Sequence, residues 1–262
     1  GSKFCHALIV SELDVMYGKR FSAKSESNKV VQHGFYHPPK EGKTKAKVEV
    51  ETELDIIRSK SWAVDRLDSR FGVDGVSCFD NDNAGQTGVV YVIDSGIDPT
   101  HQEFRGITVT QGPDFVGSSS FDDCNSHGTA VAGMVAGKNT GIARFLKELV
   151  AVRVFGCGNT AESQDIEAAL LWVATDSLTR CAGNTTCIVN MSFGAGYTIS
   201  FDALLDSVFS GSGIIGVSSA GNDAIDACLN LPGGNPNIIN VAGSNIKDSF
   251  YTESNFGSCC DF

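Results

Sequence analysis

From residue 88 onward, short unbroken apolar runs alternate with stretches of helical periodicity. Residues 88–93, 149–155, 187–193, 213–218 and 237–242 read as strands. Residues 128–136, 162–175 and 201–209 read as helices between them. A strand that is apolar at every position is buried on both faces. That pattern belongs to a parallel sheet with helices packed on either side. The expected fold class is therefore α/β, a doubly wound, mostly parallel sheet with right-handed crossovers. The segment 128–136 is small and apolar almost all round, which argues for a central, enclosed helix.

The chain changes character near residue 60. Ahead of it lie a His/Pro cluster at 33–39, a Lys-rich run at 40–47 and two strand-like stretches at 4–10 and 47–54. Two regions are expected: a small N-terminal α+β region, 1–60, and a larger domain, 61–262. With 42% hydrophobic residues the chain supports a sizeable core. Its net charge of −11 argues against a general nucleic-acid or anionic-membrane binder. No apolar run approaches the roughly 20 residues of a membrane helix. Neither nucleic acid nor membrane is expected as a partner.

Nine cysteines without a Cys-x-x-Cys spacing point away from zinc and toward an oxidising, extracellular compartment. Cys181 and Cys187 bracket a polar loop and make the best intrachain disulfide. Asn184-Thr185-Thr186 in that loop is a glycosylation sequon, while Asn190-Met191-Ser192 falls in an apolar strand.

In open parallel sheets ligands bind beyond the carboxyl ends of the strands. Asp94 follows the run 88–93, and burying a carboxylate there is costly without a partner. His127 heads the small helix, with Ser126 as its candidate N-cap. Asn222 follows the run 213–218. Singly these read as a turn Asp, a helix-start His and a turn Asn. Together they are a base, a group that orients the base and an oxyanion donor, the set that acyl transfer needs.

The blocks around these residues resemble the subtilisin-like serine proteases, in particular their proteinase K-like members. Residues 90–97 (Val-Tyr-Val-Ile-Asp-Ser-Gly-Ile) resemble the family's Asp block and 126–133 (Ser-His-Gly-Thr-Ala-Val-Ala-Gly) its His block. Residues 190–194, 219–222 and 254–258 resemble the substrate-binding strand, the oxyanion segment and the segment preceding the serine block. All five occur in the family's order. The resemblance implies a serine endopeptidase acting on proteins or peptides. Asp94 would orient His127, His127 would be the general base, and Asn222 would donate to the oxyanion. Ser192, Phe193 and Gly194 would pair with the substrate backbone, and Ser219, Ala220 and Gly221 would line the side-chain pocket. It also implies secretion, no required cofactor, and calcium as a structural ion near Pro232 and Asp261. Residues 1–60 would be the chain's own inhibitory pro-segment, with 48–53 as its last strand and cleavage near 55–61, or else an unrelated N-terminal extension.

Two features are set aside. His101 matches a family histidine without a catalytic role. The Gly-x-Gly-x-x-Gly at 211–216 precedes a strand instead of following one, the wrong setting for a dinucleotide. Asp94-Ser95-Gly96 in place of a phosphate loop argues against a nucleotide-binding protein as well.

The sequence departs from the family at two points. Ala130 stands where a second histidine is usual. More seriously, no Gly-Thr-Ser-Met-Ala block occurs in the 262 residues, so the nucleophile is missing and the family resemblance covers roughly the first three quarters of a catalytic domain. The chain by itself is expected to be inactive. The alternative expectation is a pseudoprotease that binds peptides or a partner protein without cleaving them.

Overall fold

The computed structural model describes residues 54–58, 61–68, 72–80, 85–117, 123–158 and 160–262. Residues 1–53, and with them most of the pro-segment reading, lie outside the described residues. The chain runs through strand β1 (Leu54–Arg58), helix α1 (Trp62–Leu67), β2 (Val76–Asp80), β3 (Gly88–Asp94), β4 (Val109–Asp114), α2 (His127–Ala136), β5 (Glu148–Arg153), α3 (Ser163–Arg180), β6 (Thr186–Met191), β7 (Ala195–Gly196), α4 (Ile199–Phe209), β8 (Ile215–Ser219), β9 (Asn230–Leu231) and β10 (Ile238–Val241). Six strands form one sheet in the order β10-β8-β6-β3-β5-β4, and every pair in it is parallel. β1 pairs antiparallel with β2, across the boundary expected at residue 60.

The period of two along each strand distributes the core to two faces. Val89, Tyr91 and Ile93 join Val150, Val152, Cys187, Val189 and Met191 on one side. Val90, Val92, Leu149 and Ala151 point to the other. α3 covers the first face with Ile166, Ala169, Leu170 and Val173, and α4 adds Phe201, Leu205, Val208 and Phe209. Their spacing of three and four is the apolar stripe of an amphipathic helix. α2 covers the second face with Ala132 and Ala136. The doubly wound α/β sheet follows from residues that are apolar at odd and even positions alike. α2 is less enclosed than its composition suggests: Met134 is 44% exposed, because only the Gly128, Ala132, Gly133 and Ala136 side of the helix is buried.

Disulfides join Cys124 to Cys157, Cys181 to Cys187 and Cys228 to Cys259. Cys78 is also disulfide-bonded, and Cys260 is free. The pairing expected around the 182–186 loop is present. Asn184 stands exposed in that loop, whereas Asn190 turns its amide onto Ser192 Oγ (3.0 Å).

A polar network fastens α3 to the sheet. Tyr91 Oη donates to Asp176 (2.7 Å), and Arg180 bridges Asp176 (2.6 Å) and Glu148 (2.7 Å). Burial raises the Asp176 carboxyl, but hydrogen bonds from Arg180 and Tyr91 outweigh it and hold the group below the usual carboxylate range. Glu103 behaves alike: burial raises it, and bonds from Asn139 and Thr140 bring it lower. A carboxyl depressed in the folded state contributes stability above its unfolded pKa, about 4. That contribution disappears as pH falls through the lower folded value. The melting temperature should therefore drop steeply below about pH 4. Asp176→Asn should flatten part of that slope in a thermal-unfolding series, and an unchanged slope would remove Asp176 from the account.

Candidate active site

β3 is buried along its whole length and ends in Asp94, whose side chain is 2% exposed. His127 is the first residue of α2. Its Nδ1 lies 2.8 Å from Asp94 Oδ1 and 3.0 Å from Oδ2. A carboxylate only accepts, so Nδ1 is the donor and Nε2 carries the lone pair. The imidazole is half-exposed, 53%, and among the described residues Nε2 has no hydrogen-bond partner. Ser95 N–H donates to Asp94 Oδ1 (2.7 Å) and completes the carboxylate's support. Gly128 permits this approach: a Cβ there would overlap Gly96 O and press on Asp94 Cβ at 3.1 Å.

The sheet order explains how the other residues arrive nearby. β3, β6 and β8 are adjacent and parallel, so their carboxyl ends share one edge. β3 delivers Asp94, β6 delivers Ser192, Phe193 and Gly194, and β8 delivers Ser219, Ala220, Gly221 and Asn222. Phe193 is buried at 9% and packs on Phe155, while Gly194 and Asn222 are exposed. Among the described contacts, Asp94 and His127 are joined directly. Asn222 shares their edge two strands away.

Two asparagines absent from the expected site hold the 219–222 segment. Asn230 Nδ2 donates to Ala220 O (3.1 Å). Asn255, 0% exposed, donates from Nδ2 to Ala220 O (2.8 Å) and accepts Asp223 N–H (2.9 Å) and Ile225 N–H (3.1 Å) at Oδ1. Its own N–H donates to Gly221 O (2.8 Å). Gly221 has φ +103°, and a Cβ there would run into Asn255 and Asn230. A backbone pressed this closely onto two amides in the left-handed region is open to glycine alone. The signal was in the Ser254-Asn255 block, which sequence similarity marked without giving a role.

The remaining candidates stand apart. His101 caps the 3₁₀ turn Gln102–Phe104, with its Nδ1 accepting Glu103 N–H (3.4 Å). The glycines at 211 and 213 sit at positive φ in the turn leading into β8. Pro232, after a cis peptide bond, accepts Asn235 N–H at its carbonyl (3.0 Å). Asp261 Oδ2 accepts Asn240 N–H (3.0 Å). Among the described residues no group of three His, Cys, Asp or Glu is placed to hold a metal. Two oxygens, each already accepting a hydrogen bond, fall short of the roughly six to eight that calcium takes. No helix of the described residues is long and apolar enough to cross a membrane.

Comparison with known proteins places this arrangement. The model of the Subtilase family matches residues 85–262. Subtilisin-like protease 7 of Trichophyton tonsurans is 33% identical over 201 residues, which cover 77% of this chain and 49% of that protein. Alkaline serine exoprotease A of Vibrio alginolyticus is 34% identical over 202 residues, 76% of this chain and 36% of that protein. The crystal structure of a cold-adapted subtilisin-like serine proteinase superposes with a TM-score of 0.68 at 31% identity, covering 78% of this chain and 71% of that one. The chain spans about half the length, or less, of these curated relatives. With the family match over residues 85–262 and the Asp94–His127 pair at the carboxyl edge of a parallel sheet, the chain belongs to the subtilase family.

Proposed function

We propose that this chain carries the base and oxyanion half of a secreted serine endopeptidase that hydrolyses peptide bonds in proteins. The observation that carries this reading is the Asp94 carboxylate seated on His127 Nδ1, which leaves Nε2 facing solvent as a base. The nucleophile is a serine from a segment outside these 262 residues. As its Oγ–C bond to the scissile carbonyl forms, the hydroxyl proton passes to His127 Nε2. Asp94 stabilises the resulting imidazolium, and Asn222 Nδ2 donates to the carbonyl oxygen as it becomes an oxyanion. Collapse breaks the C–N bond, and Nε2 returns the proton to the leaving amine. Water then repeats the cycle on the acyl-enzyme. Ser192 to Gly194 align the substrate backbone, and Ser219 to Gly221 wall its side-chain pocket. Residues 1–60 serve as the pro-segment.

A casein or fluorogenic-peptide assay tests this. The product of the complete reading frame should hydrolyse the substrate. His127→Ala in that product should not, and neither should the 262-residue chain alone. Substrate binding without turnover by the complete product would favour the pseudoprotease instead.

A further inference from the structure

α2 begins without the cap its sequence offers. Ser126 occupies the N-cap position at φ 72°, ψ −2°, and its side chain makes no capping bond. A serine in the left-handed region is sterically penalised, and such a turn persists only where its surroundings hold it.

Asp123 does the holding. Its Oδ1 accepts Ser126 N–H (2.8 Å), Asn125 N–H (3.2 Å) and Ser95 Oγ–H (2.7 Å). Its Oδ2 accepts Thr129 N–H (2.8 Å) and Thr129 Oγ1–H (2.5 Å). Ser95 Oγ in turn accepts Gly128 N–H (3.0 Å). The amides of 126, 128 and 129 thus end, directly or through one hydroxyl, on a single carboxylate. A negative charge also suits the positive end of a helix. Ser95 links this carboxylate to the other one, since its N–H rests on Asp94. The neighbouring residues anchor the same loop: Cys124 is bonded to Cys157, and Asn125 Nδ2 donates to Gly158 O (2.9 Å).

We propose that Asp123 is a positioning residue for His127, clamping the left-handed Ser126 turn and the first turn of α2 so that the imidazole meets Asp94 in one orientation. The inference rests on His127 being the general base, and Asp123 itself touches no reacting atom.

Proton NMR of the 15N-labelled 262-residue chain tests it without requiring hydrolysis. In the wild type, His127 Nδ1–H should give a resonance protected by its bond to Asp94. In Asp123→Asn that resonance should vanish or exchange with solvent at least about tenfold faster, while unfolding stays cooperative. Adding Ser126→Gly should restore it, because glycine takes φ +72° without help. A folded Asp123→Asn variant with wild-type exchange overturns the proposal, as does a double variant no better than the single one. Should Asp123→Asn fail to fold, Ser95→Ala cuts one arm of the clamp. It should speed exchange about threefold, and an unchanged rate overturns the proposal. Should the 262-residue chain keep this signal while the product of the complete reading frame hydrolyses no substrate, the protease reading fails and the clamp stands.

Discussion

Asp94→Asn in the product of the complete reading frame should lower kcat by about four orders of magnitude. The cause is tautomeric. The asparagine amide presents an N–H to His127 where the carboxylate presented only acceptors. The imidazole then keeps its lone pair on Nδ1 and its proton on Nε2, the wrong way round for removing a proton from serine. The Asp94 side chain is almost fully enclosed, so water cannot stand in for the lost acceptor. The variant keeps the shape of the site, and KM should move little. Active-site titration with kcat and KM measured separately distinguishes this from misfolding. A fall of tenfold or less would mean that the Asp94–His127 contact is structural and that the base is elsewhere.

Asn255→Ala should give the largest loss of stability of any single change at the site. The side chain is completely buried and bonds three backbone groups, one in the 219–222 segment and two just after it. Alanine leaves the Asp223 and Ile225 amides without their acceptor, whereas Ala220 O keeps Asn230. Two donors left unsatisfied at about 1–3 kcal/mol each set the scale at roughly 2–4 kcal/mol, once partial exposure is allowed for. Urea titration of the 262-residue chain measures it. A loss under about 0.5 kcal/mol, the usual size for an uninvolved surface position, would show that the segment holds its shape without Asn255. The same change in the complete product should lower kcat more than it raises KM if Asn222 is the proposed oxyanion donor, since such a donor acts on charge that develops only in the transition state.

The central strands were legible because burial on both faces leaves no polar position to confuse the pattern. β3 is apolar from Val89 to Ile93, and β5 and β6 read nearly as plainly. β4 was not anticipated. It is the edge strand beside β5, written Val-Thr-Gln-Gly-Pro-Asp and only half-buried throughout. An edge position tolerates Pro113 and polar side chains that a central strand excludes. β7 and β9 are two residues each and exist only as a pairing. Among the cysteines, the Cys181–Cys187 pair was visible because only the five-residue polar loop 182–186 separates its members. Cys124–Cys157 and Cys228–Cys259 span 33 and 31 residues and depend on the tertiary fold.

The site shows the same division. Asp94, His127 and Asn222 follow strands or open a helix, so chain order alone located them. Ser126 holds the expected N-cap position but makes no side-chain capping bond, because residue type at a helix start does not reveal a left-handed backbone. Asn255 escaped notice because its bonds reach across 30 to 35 residues to Ala220, Asp223 and Ile225, and Asp123 because its link to the site runs across 28 residues to Ser95.

The most direct test of the Asp94–His127 machinery is fluorophosphonate labelling of the product of the complete reading frame, followed by peptide mapping. One serine, in a Gly-Thr-Ser segment beyond Phe262, should be modified, and His127→Ala should lose that label. An unlabelled wild-type protein, or a label that survives His127→Ala, would contradict it.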